Sequence, residues 1–283
     1  MAQQSQPASV EGSPQQSAHL AGTLVVCTDV GRSRSHNEDN FIIFDVRQCS
    51  TLEAGKEVRY SFASPGLLVG VADGMGGHSS GQVASQMCVE TLPAQFVKLL
   101  PEKPSGDTDW DALLAQAVHA TNEALLNTAK GNREYEGMGT TLTAALFLGR
   151  QARIAQVGDS RCYLLRGGNL TQLTQDQTVF NTLGEEERAA LRDTPFENML
   201  LQAVGAMAKL EVITIDIQLR PGDLLLFCSD GLYKVVSNEE MAEVLKGEGS
   251  FKHKADMLIE RANNAGGPDN ITVILCQVAE SGE

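Results

Sequence analysis

Three short acidic motifs lie far apart in this chain, each at one end of an apolar run: Asp73-Gly74, Asp230-Gly231 and Asp269-Asn270. A fourth acidic cluster, Asn37-Glu38-Asp39, lies upstream of them. Carboxylates delivered together to one place build a site for hard divalent cations. A buried strand does not tolerate an unpaired carboxylate in its interior. In Leu67-Leu68-Val69-Gly70-Val71-Ala72-Asp73 the acid accordingly comes last, and glycines follow it. Glycine lets the backbone approach a ligand, so the Gly74 carbonyl is itself a candidate donor. Asp-Gly alone is a common turn dipeptide. The recurrence of the pattern, together with Asp269-Asn270, is what favours a metal site over a set of turns.

The elements that must position these groups follow from apolar patterning. Leu24 to Asp29 reads as a strand, Gly31 to Asn40 as a turn-like segment holding the first acids, and Phe41 to Val46 as a partner strand. After Leu67 to Ala72 come two helical patterns, one carrying Val83, Met87, Cys88 and Leu92, the other between Trp110 and Lys130. The stretch from Pro101 to Gly106 separates them. Strands resume at Thr140 to Leu148, Ala152 to Val157 and Arg161 to Leu165, with a hairpin turn at Gly167-Gly168-Asn169. Asp176 to Gly205 is polar and helix-leaning. Ile213, Ile215, Ile217 and Leu219 alternate with polar residues, as in a strand with one wet face. Leu224 to Cys228 reads as a fully buried strand, Asn238 to Lys246 and Phe251 to Asn264 as helices, and Ile271 to Val278 as the last strand. This order is not the alternation of a doubly wound sheet. It fits an α+β fold with two antiparallel sheets and helices packed outside, in one domain over 21–280.

Composition narrows the function classes. Hydrophobic residues make up 42% of the 283, enough for a sizeable core, and no apolar run is long enough to span a bilayer. Met1 to His19 is rich in Gln, Ser and Pro, resembles neither a secretory signal nor a transit peptide, and is expected to be a disordered lead-in over 1–20. A net charge of −14 argues against nucleic acid as the main partner. The six cysteines form no C-x-x-C pair; reduced thiols of a cytoplasmic protein are expected, not disulfides or zinc ligands. None sits in a phosphate-cradling loop, so thiol-phosphatase chemistry has no support.

The chain resembles the type 2C protein phosphatases, the metal-dependent serine/threonine phosphatase family, in its bacterial form. The matching stretches are Gly31-Arg32-Ser33-Arg34-Ser35-His36-Asn37-Glu38-Asp39, Asp73-Gly74-Met75-Gly76-Gly77-His78 and Gly137-Met138-Gly139-Thr140-Thr141. Val157-Gly158-Asp159-Ser160-Arg161, Cys228-Ser229-Asp230-Gly231-Leu232 and Gly267-Pro268-Asp269-Asn270-Ile271-Thr272 continue them in family order. The resemblance implies an α-β-β-α sandwich with two Mg²⁺ or Mn²⁺ ions at the edge between its sheets. It implies that Asp73 bridges both ions and that Asp230 and Asp269 complete the first. Glu38 and the Gly74 carbonyl serve the second, and Asp39 orients a water beside it. A water shared by the ions would attack phosphorus in line, with no phospho-enzyme. Oxygen-only donors suit Mg²⁺ or Mn²⁺. Arg34 aligns with the family's phosphate-binding arginine, whose planar fork matches two phosphate oxygens.

Some positions stay open. The family's eukaryotic members carry a histidine proposed to protonate the leaving group; His36 and His78 are the nearby candidates here, each more readily read as structural or exposed. Bacterial relatives often hold a third, weaker ion with an Asp before Gly-Met-Gly-Thr-Thr; Glu136 stands there, either reaching a cation or serving as a solvated loop acid. Ser160 reads as structural, and Asp159 as bracing either the core or the site. Asp176 to Gly205 corresponds to the family's flap, a solvated surface element or a mobile selector of substrate. The expected activity is hydrolysis of phosphoserine and phosphothreonine on proteins by a monomer, opposing a partner Ser/Thr kinase, with no membrane partner. The alternatives are a pseudophosphatase that only binds and a phosphatase of small metabolites.

Overall fold

The computed structural model describes residues 20–51, 55–62, 66–76, 80–105, 107–191 and 194–281. The lead-in up to residue 19, His78 and Arg192-Asp193 lie outside the described residues. In chain order the strands and helices are β1 (Leu20–Asp29), β2 (Asp39–Asp45), β3 (Ser50–Thr51), β4 (Val58–Ser61), β5 (Leu67–Met75), α1 (Ser80–Leu99), α2 (Trp110–Ala129), β6 (Gly139–Thr140), β7 (Leu142–Leu148), β8 (Gln151–Val157), β9 (Arg161–Arg166) and β10 (Asn169–Gln172). They continue with α3 (Val179–Thr182), α4 (Glu185–Leu191), β11 (Ile213–Gln218), β12 (Leu224–Cys228), α5 (Asp230–Tyr233), α6 (Asn238–Lys246), α7 (Phe251–Asn264) and β13 (Ile271–Glu280).

One antiparallel sheet runs β10-β9-β12-β13-β1-β4, the other β11-β8-β7-β5-β2-β3, with β6 paired to the end of β5. A core layer containing Leu24, Val69, Phe147, Ile154, Phe227 and Ile274 fills the space between them. α1 and α2 cover the outer face of the second sheet through Leu92, Phe96 and Leu114. α6 and α7 cover the first through Met241, Leu245 and Leu258. The α-β-β-α sandwich expected from the sequence is therefore the fold. Burying each of these large side chains is worth about 1.5–3 kcal/mol.

Helices outside and a sheet inside explain the strand sequences. β7 and β12 are buried on both faces and read as unbroken apolar runs. The edge strand β11 alternates half-buried isoleucines with exposed polar residues, as ITIDIQ requires. Local signals set the helix ends: Asp109 accepts from Ala112 N–H at the start of α2, and Ser237 with Glu240 forms a capping box on α6.

Three boundaries differ from the sequence reading. Leu20, assigned to the lead-in, is the fully buried first residue of β1. β5 does not stop at Ala72 but runs through Asp73 and Gly74 to Met75, because Asp39 and Thr140 offer pairing partners there. The helix-leaning stretch 176–205 holds only α3, α4 and a 3₁₀ turn, Pro195–Asn198, among its described residues. β3 and β4 are too short and polar to have shown periodicity.

Candidate metal centre

Antiparallel pairing brings the acidic motifs to one end of the sandwich. Asp39 opens β2 and lies directly opposite Asp73 on β5. Asp269 precedes β13, whose Ile271 pairs with Asp29. Asp230 follows β12 and begins α5. The sheets approach each other here through β2, β5, β12 and β13. The result is a cleft of about 500 Å³, open on one side. Its lining includes five carboxylates, Glu38, Asp73, Asp159, Asp230 and Asp269, against two cations, Arg34 and Lys234.

Backbone contacts fix the floor. Thr141 N–H and the Thr140 hydroxyl donate to the Asp73 carbonyl at 2.8 and 2.9 Å, and Asp73 N–H donates to Thr141 Oγ1 at 3.0 Å. Buried Ser160 lies 2.7 Å from Thr141 Oγ1, a structural position as its sequence context suggested. Asn270 ties down the first acidic segment: its Oδ1 accepts Glu38 N–H, and its Nδ2 donates to the Val30 and His36 carbonyls. The glycines are required by proximity. A Cβ at Gly74 would overlap the Gly81 carbonyl, and one at Gly231 would overlap the Asn270 carbonyl.

The electrostatics of the floor are those of too many acids for too few cations. Like charges directly opposite on paired strands repel, yet Asp39 and Asp73 are so placed. Burial, reinforced by Asp39, Asp230, Asp159 and Asp269, holds the Asp73 carboxyl well above the usual range. Burial pushes Asp39 up to about 7 despite the 2.6 Å hydrogen bond from Ser229. Burial and Asp230 push Asp159 up to about 6, against Lys234 and the Tyr233 hydroxyl, which donates at 3.0 Å. Asp39 Oδ1 and Asp230 Oδ1 are buried without a hydrogen-bond partner. Orphaned, mutually repelling carboxylate oxygens are a donor set that suits hard divalent cations. Side chains still turn elsewhere: Lys234 pairs with Asp230 at 2.5 Å and Arg34 with Asp269 at 2.7 Å. Among the described residues no three His, Cys, Asp or Glu side chains close around one point as a metal shell.

The structure thus brings Arg34, Glu38, Asp73, Gly74, Asp230 and Asp269 to one cleft, with Asp39 buried behind it. It does not bring Glu136, which is exposed after the 3₁₀ turn Arg133–Tyr135 and absent from the cleft lining. His36 is exposed, and its carbonyl serves Asn270. Sequence reasoning missed Lys234, Gly81, Ser85 and the flap residues Asn198, Met199 and Leu200. Ser85 Oγ donates to the Glu38 carbonyl at 2.5 Å. The i,i+4 spacing of Lys234 from Asp230 was the one readable signal among them.

Comparison with known proteins agrees with this geometry. The model of the family described as protein phosphatase 2C matches residues 58–275. The serine/threonine phosphatase stp of Listeria welshimeri is 38% identical over 254 residues, covering 88% of this chain and 93% of the relative. The S. agalactiae serine/threonine phosphatase structure superposes with a TM-score of 0.77 at 31% identity, covering 92% of this chain and 100% of that one. The catalytic domain of the phosphatase PstP, in complex with 2 manganese ions, gives 0.73 at 36% identity and the same coverage. The chain belongs to the protein phosphatase 2C family, in its bacterial branch, and is a serine/threonine phosphatase. No helix among the described residues is long and apolar enough to cross a membrane.

Proposed function

We propose that this chain dephosphorylates phosphoserine and phosphothreonine on proteins at a pair of Mg²⁺ or Mn²⁺ ions. Asp73, Asp230 and Asp269 would hold one ion, and Asp73, Glu38 and the Gly74 carbonyl the other. The observation that carries this reading is the five-carboxylate floor, with the orphaned buried oxygens of Asp230 in it and Asp39 behind it. A solved relative containing 2 manganese ions supports it. When bound, such ions neutralise charge on the phosphoryl group and make a water nucleophilic at neutral pH.

The chain's own residues do the rest. Asp39, buried and accepting from Ser229 at 2.6 Å, stands behind the floor with its other oxygen free to hold a water beside the second ion. Arg34, half exposed at the cleft wall and paired with Asp269 at 2.7 Å, carries the guanidinium fork that would take two phosphate oxygens once Asp269 holds a cation. Lys234 adds a second positive charge beside Asp230 and Asp159, offsetting the repulsion between an anionic substrate and an acidic wall. The open cleft suits a phosphorylated side chain on a protein surface better than an enclosed metabolite. The complete acidic set favours turnover over a binding-only role. A Ser/Thr kinase that phosphorylates the same proteins is the partner this activity opposes.

The test is phosphate release from a phosphothreonine peptide with Mn²⁺, Mg²⁺ or chelator, alongside thermal melting. Activity should require the metal, and saturating Mn²⁺ should raise the melting temperature, since a ligand at about 100 times its Kd adds about 2.7 kcal/mol. A folded protein whose melting ignores Mn²⁺ and which releases no phosphate would sink the reading.

A further inference from the structure

Exposed apolar side chains stand at the cleft itself, beside its carboxylates. Five large hydrophobic residues are exposed among the described residues. Two of them, Met75 and Met199, line the cleft; Phe196 lies on the flap segment, and Leu201 lines a separate groove with Gln177 and Glu211. Met75 is 37% exposed and Met199 46%, and both line the same cleft as the carboxylates, together with the half-buried Leu200. Apolar side chains on the wall of a cleft touch whatever enters it, and they set its preference alongside the polar groups.

The two methionines are held in place by backbone pairing. Met75 ends β5, where it pairs with Gly139. The Met199 carbonyl accepts Val179 N–H at 2.8 Å, and Leu201 N–H donates to the Gln177 carbonyl at 2.8 Å. Met199 is therefore presented on a fixed ribbon. Its thioether adapts to differently shaped apolar partners.

We propose that Met75, Met199 and Leu200 form a specificity rim that selects phosphoprotein segments with a bulky apolar residue next to the phosphorylated one. This rests on the proposed phosphatase function of the same cleft. An extended segment advances about 3.3 Å per residue, so a phosphoresidue reaching the carboxylate floor leaves its immediate neighbours at the mouth. An apolar neighbour there covers thioether and aliphatic surface. An acidic neighbour meets five carboxylates and a chain of net charge −14. Small and polar neighbours gain neither contact.

The experiment compares two phosphothreonine peptides, identical except for Leu or Gln on both sides of the phosphothreonine. The full chain is used with Mn²⁺ as wild type, Met75→Gln/Met199→Gln and Met75→Leu/Met199→Leu. The wild type should favour the Leu peptide about tenfold in kcat/KM, through KM, the usual worth of a modest apolar contact. The Gln double variant should bring the ratio close to one, and the Leu double variant should retain it. A wild-type ratio within twofold, with both peptides hydrolysed, overturns the rim and leaves the phosphatase reading standing. A tenfold ratio that survives in the Gln double variant also overturns it. Failure to hydrolyse either peptide by folded, Mn²⁺-supplied protein overturns the proposed function, and the rim with it.

Discussion

The floor of the cleft and its rim are built in opposite ways. The floor is held by main chain: β2, β5, β12 and β13 are paired along their length, and the carbonyls of Gly81 and Asn270 press against glycines that have no Cβ to spare. Apart from Met75 at the end of β5, the rim comes from the stretch between β10 and β11, where the described residues form two short helices, a 3₁₀ turn and isolated bridges. Isolated bridges, Thr178 to Leu200 and Thr140 to Val204, and side-chain contacts such as Arg161 to Asp176 and Asn122 to Gly205 and Met207 anchor it, in place of a strand ladder. A group that must sit within a fraction of an ångström of a reacting atom belongs on a paired strand. A group that only selects a neighbour can sit on a loop whose sequence is free to change. Most of the selectivity is thus carried by a different part of the chain from the chemistry, with Met75 at the end of β5 as the point where the two meet.

The most severe way to break the floor is at its central carboxylate. Asp73→Asn keeps the shape and removes the charge, and should cost on the order of 10³-fold in kcat or more, comparable with losing a preorganised electrostatic partner. Folding, followed by near-UV circular dichroism, should be intact. Retained turnover would mean that Asp73 is not part of the metal-holding set.

Gly231→Ala attacks the same floor through the backbone. The added methyl overlaps the Asn270 carbonyl, which cannot move without displacing Asn270 from Glu38, Val30 and His36. About 3 kcal/mol of stability should be lost, a fall of some 6–12 °C in melting temperature for a domain of this size. An unchanged melting temperature would show that the floor yields to an added methyl and is not held rigid by its backbone contacts. Arg34→Lys is milder: it keeps the charge but loses the fork, and KM for a phosphopeptide should rise about tenfold with kcat little changed. An unaltered KM would remove Arg34 from phosphate binding.

The same division decides which features the amino-acid sequence makes legible. Acids at the ends of apolar runs can be read because burial forbids them elsewhere, so Asp73, Asp230 and Asp269 stand out. The layers are legible too, since strands buried on both faces cannot alternate. Gly81, Ser85 and Lys234 are not, because their roles depend on where a helix lands against a distant loop. Ser85 meets Glu38 from 47 positions away. Met199 and Leu200 are legible only as part of the flap segment 176–205: a surface methionine has no periodicity, and only the fold shows which flap residues line the cleft. The strand extension through Asp73 is hidden because a like-charged pair opposite Asp39 is a poor strand signal unless a cation is expected between them.

The smallest effect is expected at Glu136, and it sharpens the boundary of the floor. Its position before Gly-Met-Gly-Thr-Thr suggested a third ion, but its side chain is exposed outside the cleft lining, beyond the Thr140 and Thr141 contacts that hold Asp73. A carboxylate there feels solvent and the screening of ordinary salt. Glu136→Ala should leave kcat and the Mn²⁺-dependence curve within about twofold of wild type, the usual reach of a surface substitution. A shift of the metal curve to higher Mn²⁺ would place Glu136 within the metal-binding surface. The floor would then extend past β6, and the line between the part that does chemistry and the part that chooses substrate would run through the loop before it.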